Sequence, residues 1–568
     1  MAGERSEAVA LSLTMTPAGV HAPRSTDRDH RTGSGGLIVK NALNMMKRAS
    51  WGVGLTLALL SGAATLAQAQ SVIKYTPSAE PRTMDPVLSS VAITQQHAYL
   101  VYDTLFSLDE KLQPQPQMVG KVEKSDGGRV YVMTLRPGLK FHDGSPVRSA
   151  DVVASINRWA TRDTVGRKLV ELGMKVSAVD DQSFRVEMKQ DTPLLLDGFA
   201  KPTSSALFIM REKEALTDSS KPVAEIVGSG PFRMVEYKPG ARIVYERNPD
   251  YVPRQEPASY FAGGKVAKVD RVEWVIMPDA ATAVSALQTG EIDIYESPPL
   301  DLVPVLETNK SVEIRLPGGQ GQVGLLRPNF KQPPFDKVEA RRGLALLMDQ
   351  ADAMSVVAGA EPKFWSKCYS FLGCGGVSED QSGMDWMQKP DIAEAKKLFK
   401  QAGYDGKSIV VIAPGDNEVI KNFGMIAAER LKEAGLNVDL QLSDFASMIA
   451  RRGNQGPTDK GGWNLFPMWS FGFETDNPIS HPQLNLVCSN AAYAGWACSP
   501  EIEQLKSAWA LETDPVKRKE IIHKIQLASA ELLPFVPLGR FYSPMAFRRN
   551  VTDVLKTPLP VFWNLEKK

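Results

Sequence analysis

Between residues 391 and 443 the hydrophobic period switches from helical to strand-like spacing twice in succession. Asp391 followed by Glu394 makes a capping-box-like helix start, Ala395, Leu398, Phe399 and Ala402 form one apolar stripe, and Gly403 stands where that helix must stop. The run IVVIA from Ile409 to Ala413 then reads as a buried strand. Ile420, Phe423, Ala427 and Leu431 restore the helical spacing up to Gly435, and Leu436, Val438, Leu440 and Leu442 alternate as a second strand. Helices alternating with strands predict an α/β body with a largely parallel sheet.

A second body is built differently. From about residue 120 to 250 the strand-like runs VYVMTL (130–135), FRVEMK (184–189) and RIVYER (242–247) are separated by Gly-rich or Asp-rich turns, the pattern of a β-rich α+β region. One chain therefore holds at least two bodies, as its length also predicts.

The N-terminal region addresses the chain. Lys47 and Arg48 precede an apolar core, GLTLALL from Gly54 to Leu60, and Ala67-Gln68-Ala69 offers a small-x-small cleavage site, so 45–69 reads as a secretory signal peptide cut after Ala69. Ser61 to Thr65 dilute the apolar run below the roughly 20 residues that a membrane span needs. Residues 1–44 are polar, lack apolar periodicity and read as a disordered extension ahead of the natural start at Met45 or Met46. Removing residues 1–69, with 7 basic and 4 acidic side chains, leaves 59 basic against 61 acidic. Such balance gives no field for nucleic acid or anionic membrane.

In an exported chain, the close pairs Cys368 with Cys374 and Cys488 with Cys498 read most simply as two local disulfides. A four-thiolate zinc site is the alternative, but neither pair has the short C-x2-4-C spacing. Nucleotide and catalytic motifs fail in turn. Gly319-Gln-Gly-Gln-Val-Gly324 follows a plausible strand yet opens no helix, because Pro328 and Asn329 come at once. The GYDGKS run at 403–408 lacks the Walker spacing. There is no G-x-S-x-G or H-E-x-x-H, and the six histidines are scattered. The expectation is no catalytic residue, no metal and no cofactor; a secreted hydrolase without a recognisable motif is the rival reading.

The run LRPGLKFHDGSPVRSADVVASINR from Leu135 to Arg158 resembles the signature of the extracellular solute-binding proteins that deliver dipeptides, oligopeptides, nickel or opines to ATP-binding-cassette importers. VGSGPFRMVEYKPG (227–240), PPFDKVEARRGLALLMD (333–349) and KPDIAEAKKLFKQAGY (389–404) match in the same order. The resemblance implies a two-lobed α/β periplasmic-binding-protein architecture with a hinge. Lobe I would take residues 70–325 and 537–568, with a β-rich subdomain inserted at about 105–222, and lobe II residues 326–536. The chain would cross between lobes near Leu325 to Phe330 and Pro534 to Leu538.

The resemblance also implies a function: a monomeric periplasmic protein, peripheral to the inner membrane, captures a peptide or peptide-like solute between its lobes. It then hands the solute to an importer permease and its ATPase. The candidate ligand residues are Trp469, Phe471 and Phe473 as flat walls, Glu474 and Asp476 for a cation, Gln320 and Gln322 beside the crossover, Arg327 as a carboxylate fork, and Ser89 and Ser90 on lobe I. Dipeptide-binding members carry W-x-G-D, whose aspartate holds the α-ammonium. Here Trp469-Ser470-Phe471-Gly472 puts a glycine at that position. The implied cargo is a longer or modified peptide, or else a non-peptide solute such as an opine or sugar-derived compound.

Overall fold

The computed structural model describes residues 70–568; the expected signal peptide at 45–69 and extension at 1–44 lie outside the described residues. Two large sheets organise the chain. The first runs, edge to edge, Val312–Arg315, Met545–Arg548, Ile294–Tyr295, Val72–Thr76, Arg271–Val275, Arg242–Arg247 and Phe232–Lys238. Val72–Thr76 is parallel to both its neighbours, and the other pairings are antiparallel.

The second sheet orders Trp365–Ser366, Val536–Phe541, Gln322–Pro328, Leu465–Phe471, Ile409–Pro414 and Val438–Ser443. Helices and strands at 391–443 form as their periodicity predicts. Asp391 accepts the Glu394 amide at 2.8 Å to cap helix Ile392–Gln401, and Asn417 caps helix Glu418–Glu433 through Ile420 at 3.1 Å. The sheet is nevertheless mixed. Only Ile409–Pro414 pairs in parallel, because Gln322–Pro328, where the chain enters from the first body, and Val536–Phe541, where it leaves again, run antiparallel to their partners.

The inserted region forms its own four-stranded antiparallel sheet, Val119–Ser125, Val130–Leu135, Ser183–Glu187 and Lys175–Ala178. Helix Ser149–Arg162 carries buried Val152, Ile156 and Trp159 into the subdomain's core. The fully buried pair Arg158–Asp85, bidentate at 3.0 and 2.8 Å, ties this helix to the first body.

The chain changes sheet within residues 316–321 and returns within 542–544. The expected crossovers, and with them the boundaries at 325/326 and 536/537, fall instead inside ladder strands. The reason is the apolar run 323–326, which pairs on both sides and belongs wholly to the second sheet. The Gly-x-Gly segment is thereby accounted for: Gly321 takes φ +67°, and a Cβ there would stand 2.5 Å from the Phe541 carbonyl oxygen. The two connections hold each other. Gln322 Nε2 donates to Ser543 Oγ at 3.1 Å, and the Ser543 amide donates to Gln322 Oε1 at 3.2 Å.

Both local disulfides are formed, Cys368–Cys374 and Cys488–Cys498. Among the described residues no helix is long and apolar enough to cross a membrane.

Candidate ligand-binding cleft

A cavity of about 480 Å³ opens between the two sheets at the point where the chain crosses. Strand alternation aims one wall at it. Trp469 and Phe471 lie two residues apart on Leu465–Phe471, hence on one face, and both line the cavity with their rings 5.1 Å apart at 85°. Phe541 and Gln322 from the adjoining strands complete that side. Helix Glu418–Glu433 packs on this sheet with its N-terminus at the cavity, where Asp416 and Glu418 stand exposed.

The opposite wall comes from the first body. Glu296 follows the short strand Ile294–Tyr295 and is 9% exposed. Its Oε1 accepts from Gln96 Nε2 at 2.5 Å and its Oε2 from the Ser78 amide at 2.6 Å. Gln96 is fixed in turn by the Tyr75 hydroxyl at 2.8 Å, and burial together with the Glu296 charge raises the Tyr75 phenol well above its ordinary range. Each carboxylate oxygen has two lone pairs, so Glu296 retains an acceptor site on each. Three carboxylates thus line the cavity, and among its described lining residues there is no lysine or arginine. The cavity sets carboxylates beside a flat apolar surface.

The expected ligand residues divide sharply. Trp469, Phe471 and Gln322 line the cavity; Phe473 stacks behind Phe471 at 5.1 Å and 13°. Glu474 turns away and accepts from the Ser204 hydroxyl of the inserted subdomain. Asp476 is consumed by the first disulfide-bearing segment, accepting the Ser378 amide at 2.8 Å, the Val377 amide at 3.3 Å and Gln320 Nε2 at 3.0 Å. Gln320 itself is 4% exposed.

Arg327 is no carboxylate fork. It is fully buried and donates to the backbone carbonyls of Ala494, Gln483 and Pro534 at 2.9, 3.0 and 2.7 Å, so it pins the second disulfide loop to the last crossing strand. Burial pushes its guanidinium down to about 10. Ser89 caps a turn, its Oγ accepting the Val91 amide at 3.3 Å, and Ser90 is exposed; Ala92, and neither serine, reaches the cavity.

Gly472 explains the missing aspartate. A Cβ at this position would meet Gln320 Cβ at 2.4 Å and the Gln320 carbonyl oxygen at 2.9 Å, so the space is already filled. The residues that sequence reasoning missed are Glu296, Asp416 and Glu418, which lie in no motif. The only local signal was the Asp-Asn-Glu run that starts a capped helix.

The family model for bacterial extracellular solute-binding proteins, family 5 Middle, matches residues 113–494. A Sinorhizobium fredii protein named "Probable peptide ABC transporter periplasmic-binding protein" is 37% identical over 491 residues, 85% of this chain and 91% of its own length. Among solved structures, the dipeptide binding protein from Pseudoalteromonas sp. SM9913 in complex with Met-Leu superposes with a TM-score of 0.73. The match covers 88% of this chain and 100% of that one at 19% identity. The agropinic acid complex of AgaA from A. tumefaciens R10 gives 0.70 over 88% and 99% at 21% identity. The shared fold is the mixed α/β, two-lobed periplasmic-binding-protein fold. The chain belongs to family 5 of the bacterial extracellular solute-binding proteins, whose members are binding proteins of ABC transporters and not enzymes.

Proposed function

We propose that this chain is the periplasmic receptor of an ABC importer for a peptide or peptide-like solute bearing a positive charge. The observation that carries the reading is the interlobe cavity, with Trp469 and Phe471 on one side, Glu296, Asp416 and Glu418 around it, and no basic side chain among its described lining residues. Burying an ammonium is costly unless a carboxylate meets it. With Asp476 occupied and Gly472 blocked, Glu296 is the buried carboxylate available for that task. The name of the Sinorhizobium fredii relative supports a peptide cargo.

The mechanism is binding without chemistry. Lobe I, residues 70 to about 318 and 545–568 with the insertion at 105–222, closes on lobe II, about 319–544, by bending at the two connections. Only a solute that touches both lobes shifts that equilibrium. The closed monomer then docks on the permease, whose ATPase supplies the energy. Export by cleavage after Ala69 delivers it to the periplasm. Native mass spectrometry of the periplasmic protein tests the reading: an unmodified, positively charged solute released on denaturation supports it. A solute converted during incubation would point to an enzyme instead.

A further inference from the structure

Away from the cleft, the inserted subdomain and the second lobe meet at another interface. Arg518, on helix Pro515–Leu532, donates to Asp197 on helix Leu194–Ala200 at 3.0 Å, and its guanidinium lies 3.9 Å from the Trp509 ring centroid. The Thr192 hydroxyl donates to the Ala510 carbonyl, and Lys168 reaches Ser507 Oγ at 3.3 Å. Buried Leu194 and Leu195 belong to the same apolar cluster as Trp509 and Ala510. None of these residues lines the cleft cavity.

A further contact approaches the cleft wall. Ser204 and Ser205 are consecutive non-glycine residues at φ +51° and +68°, a conformation that costs free energy and persists only where surroundings impose it. Trp159 Nε1 donates to the Ser205 carbonyl at 2.7 Å, Lys201 Nζ donates to the Ser204 carbonyl at 2.7 Å, and the Ala206 amide donates to Gln95 Oε1 at 3.1 Å. So held, Ser204 presents its hydroxyl to Glu474, three residues beyond Phe471.

The Arg518–Asp197, Thr192–Ala510, Lys168–Ser507 and Ser204–Glu474 contacts join parts on opposite sides of the hinge. The subdomain is fixed to the first lobe by Arg158–Asp85, and helix Pro515–Leu532 to the second by Gln526, which accepts the Phe371 amide at 2.8 Å. A rotation about residues 316–321 and 542–544 that parts the subdomain from the second lobe breaks them together.

We propose that this second interface is a latch for closure: it sets the fraction of receptor in the closed form, and so scales the affinity for every cargo by one factor without touching any. Apparent affinity falls in proportion to the competent fraction. The proposal rests on lobe closure and not on the cationic nature of the cargo.

The test compares wild type with Arg518→Met, Thr192→Val and Glu474→Ala, each checked for folding by circular dichroism. Small-angle scattering reads the cargo-free opening, and calorimetry reads affinity for trilysine and trialanine. The expected result is a larger cargo-free radius of gyration and a loss of about three- to tenfold for each peptide, equal between the two. The double charge reversal Asp197→Arg with Arg518→Asp restores most of what either single reversal loses. Unchanged scattering with unchanged affinity overturns the latch, as does a loss that differs between the peptides, since that places these residues on the cargo. If neither peptide binds wild type, the cargo reading fails and scattering alone decides the latch. A cargo-free receptor insensitive to all three substitutions then counts against it.

Discussion

Gln320 donates its side-chain amide to Asp476 at 3.0 Å, and this bond joins the first connection between the sheets to the loop that follows the cleft's aromatic wall. Asp476 also receives two backbone amides from the segment after the Cys368–Cys374 bridge, so it serves the fold. Asp476→Asn should lower unfolding free energy by about 1–3 kcal/mol, the cost of weakening bonds to a buried carboxylate. The relative affinities of a peptide panel should stay the same. Denaturant titration and calorimetry on one preparation check both halves.

Arg327→Leu should be more damaging. It leaves the carbonyls of Ala494, Gln483 and Pro534 buried without a donor, at a cost of about 3–5 kcal/mol. Protein that remains folded should bind cargo normally. A loss of binding without a loss of stability, seen by parallel thermal melting and titration, contradicts the core assignment.

Each disulfide closes a short loop, with sequence separations of 6 and 10, and should contribute about 2–3 kcal/mol. Reduction should therefore lower the denaturation midpoint without unfolding the chain, and non-reducing peptide mapping should recover the same two pairs. Free thiols or crossed pairs in the native protein would sink this prediction.

Stability should fall with acid partly through two histidines. His97 and His481 are buried, each with one ring nitrogen bonded, to Tyr245 Oη and the Phe371 carbonyl at 2.9 Å, and the other without a partner. Burial pushes both down to about 3, so their contribution is complete above the unfolded value near 6.5 and is lost as pH falls toward 3. At pH 5 each should cost about 2 kcal/mol. The half-buried Asp197, Glu474 and Asp476 carboxyls are shifted upward by desolvation and act with the opposite sign. His97→Gln isolates the histidine effect: the fall in unfolding free energy between pH 7 and 5 should be shallower than in wild type.

Local periodicity made the helices and strands of 391–443 legible, and close spacing in an exported chain did the same for the cysteine pairs, because both depend on neighbours in sequence. The crossing points were not. Leu325 and Leu326 look alike whether they end one sheet or fill the next, and only pairing with 465–471 and 536–541 decides. Arg327 and Asp476 misled for a related reason: a charged side chain in a polar-looking loop carries no mark of whether its partner is a ligand or a distant backbone group. Trp469 and Phe471 were candidates through the resemblance alone; that they share one face of strand Leu465–Phe471 came only with the structure. Glu296 was not legible, since its importance comes from Gln96 and Ser78, some 200 residues away along the chain.

The most direct measurement is calorimetric titration of wild type and Glu296→Gln with trilysine and its N-acetylated, side-chain-acetylated form. The cleft as described predicts that the charged peptide binds wild type at least about tenfold tighter than the acetylated one, and that Glu296→Gln removes most of that difference. Equal binding of the two peptides by wild type, or an undiminished preference in Glu296→Gln, would contradict the account.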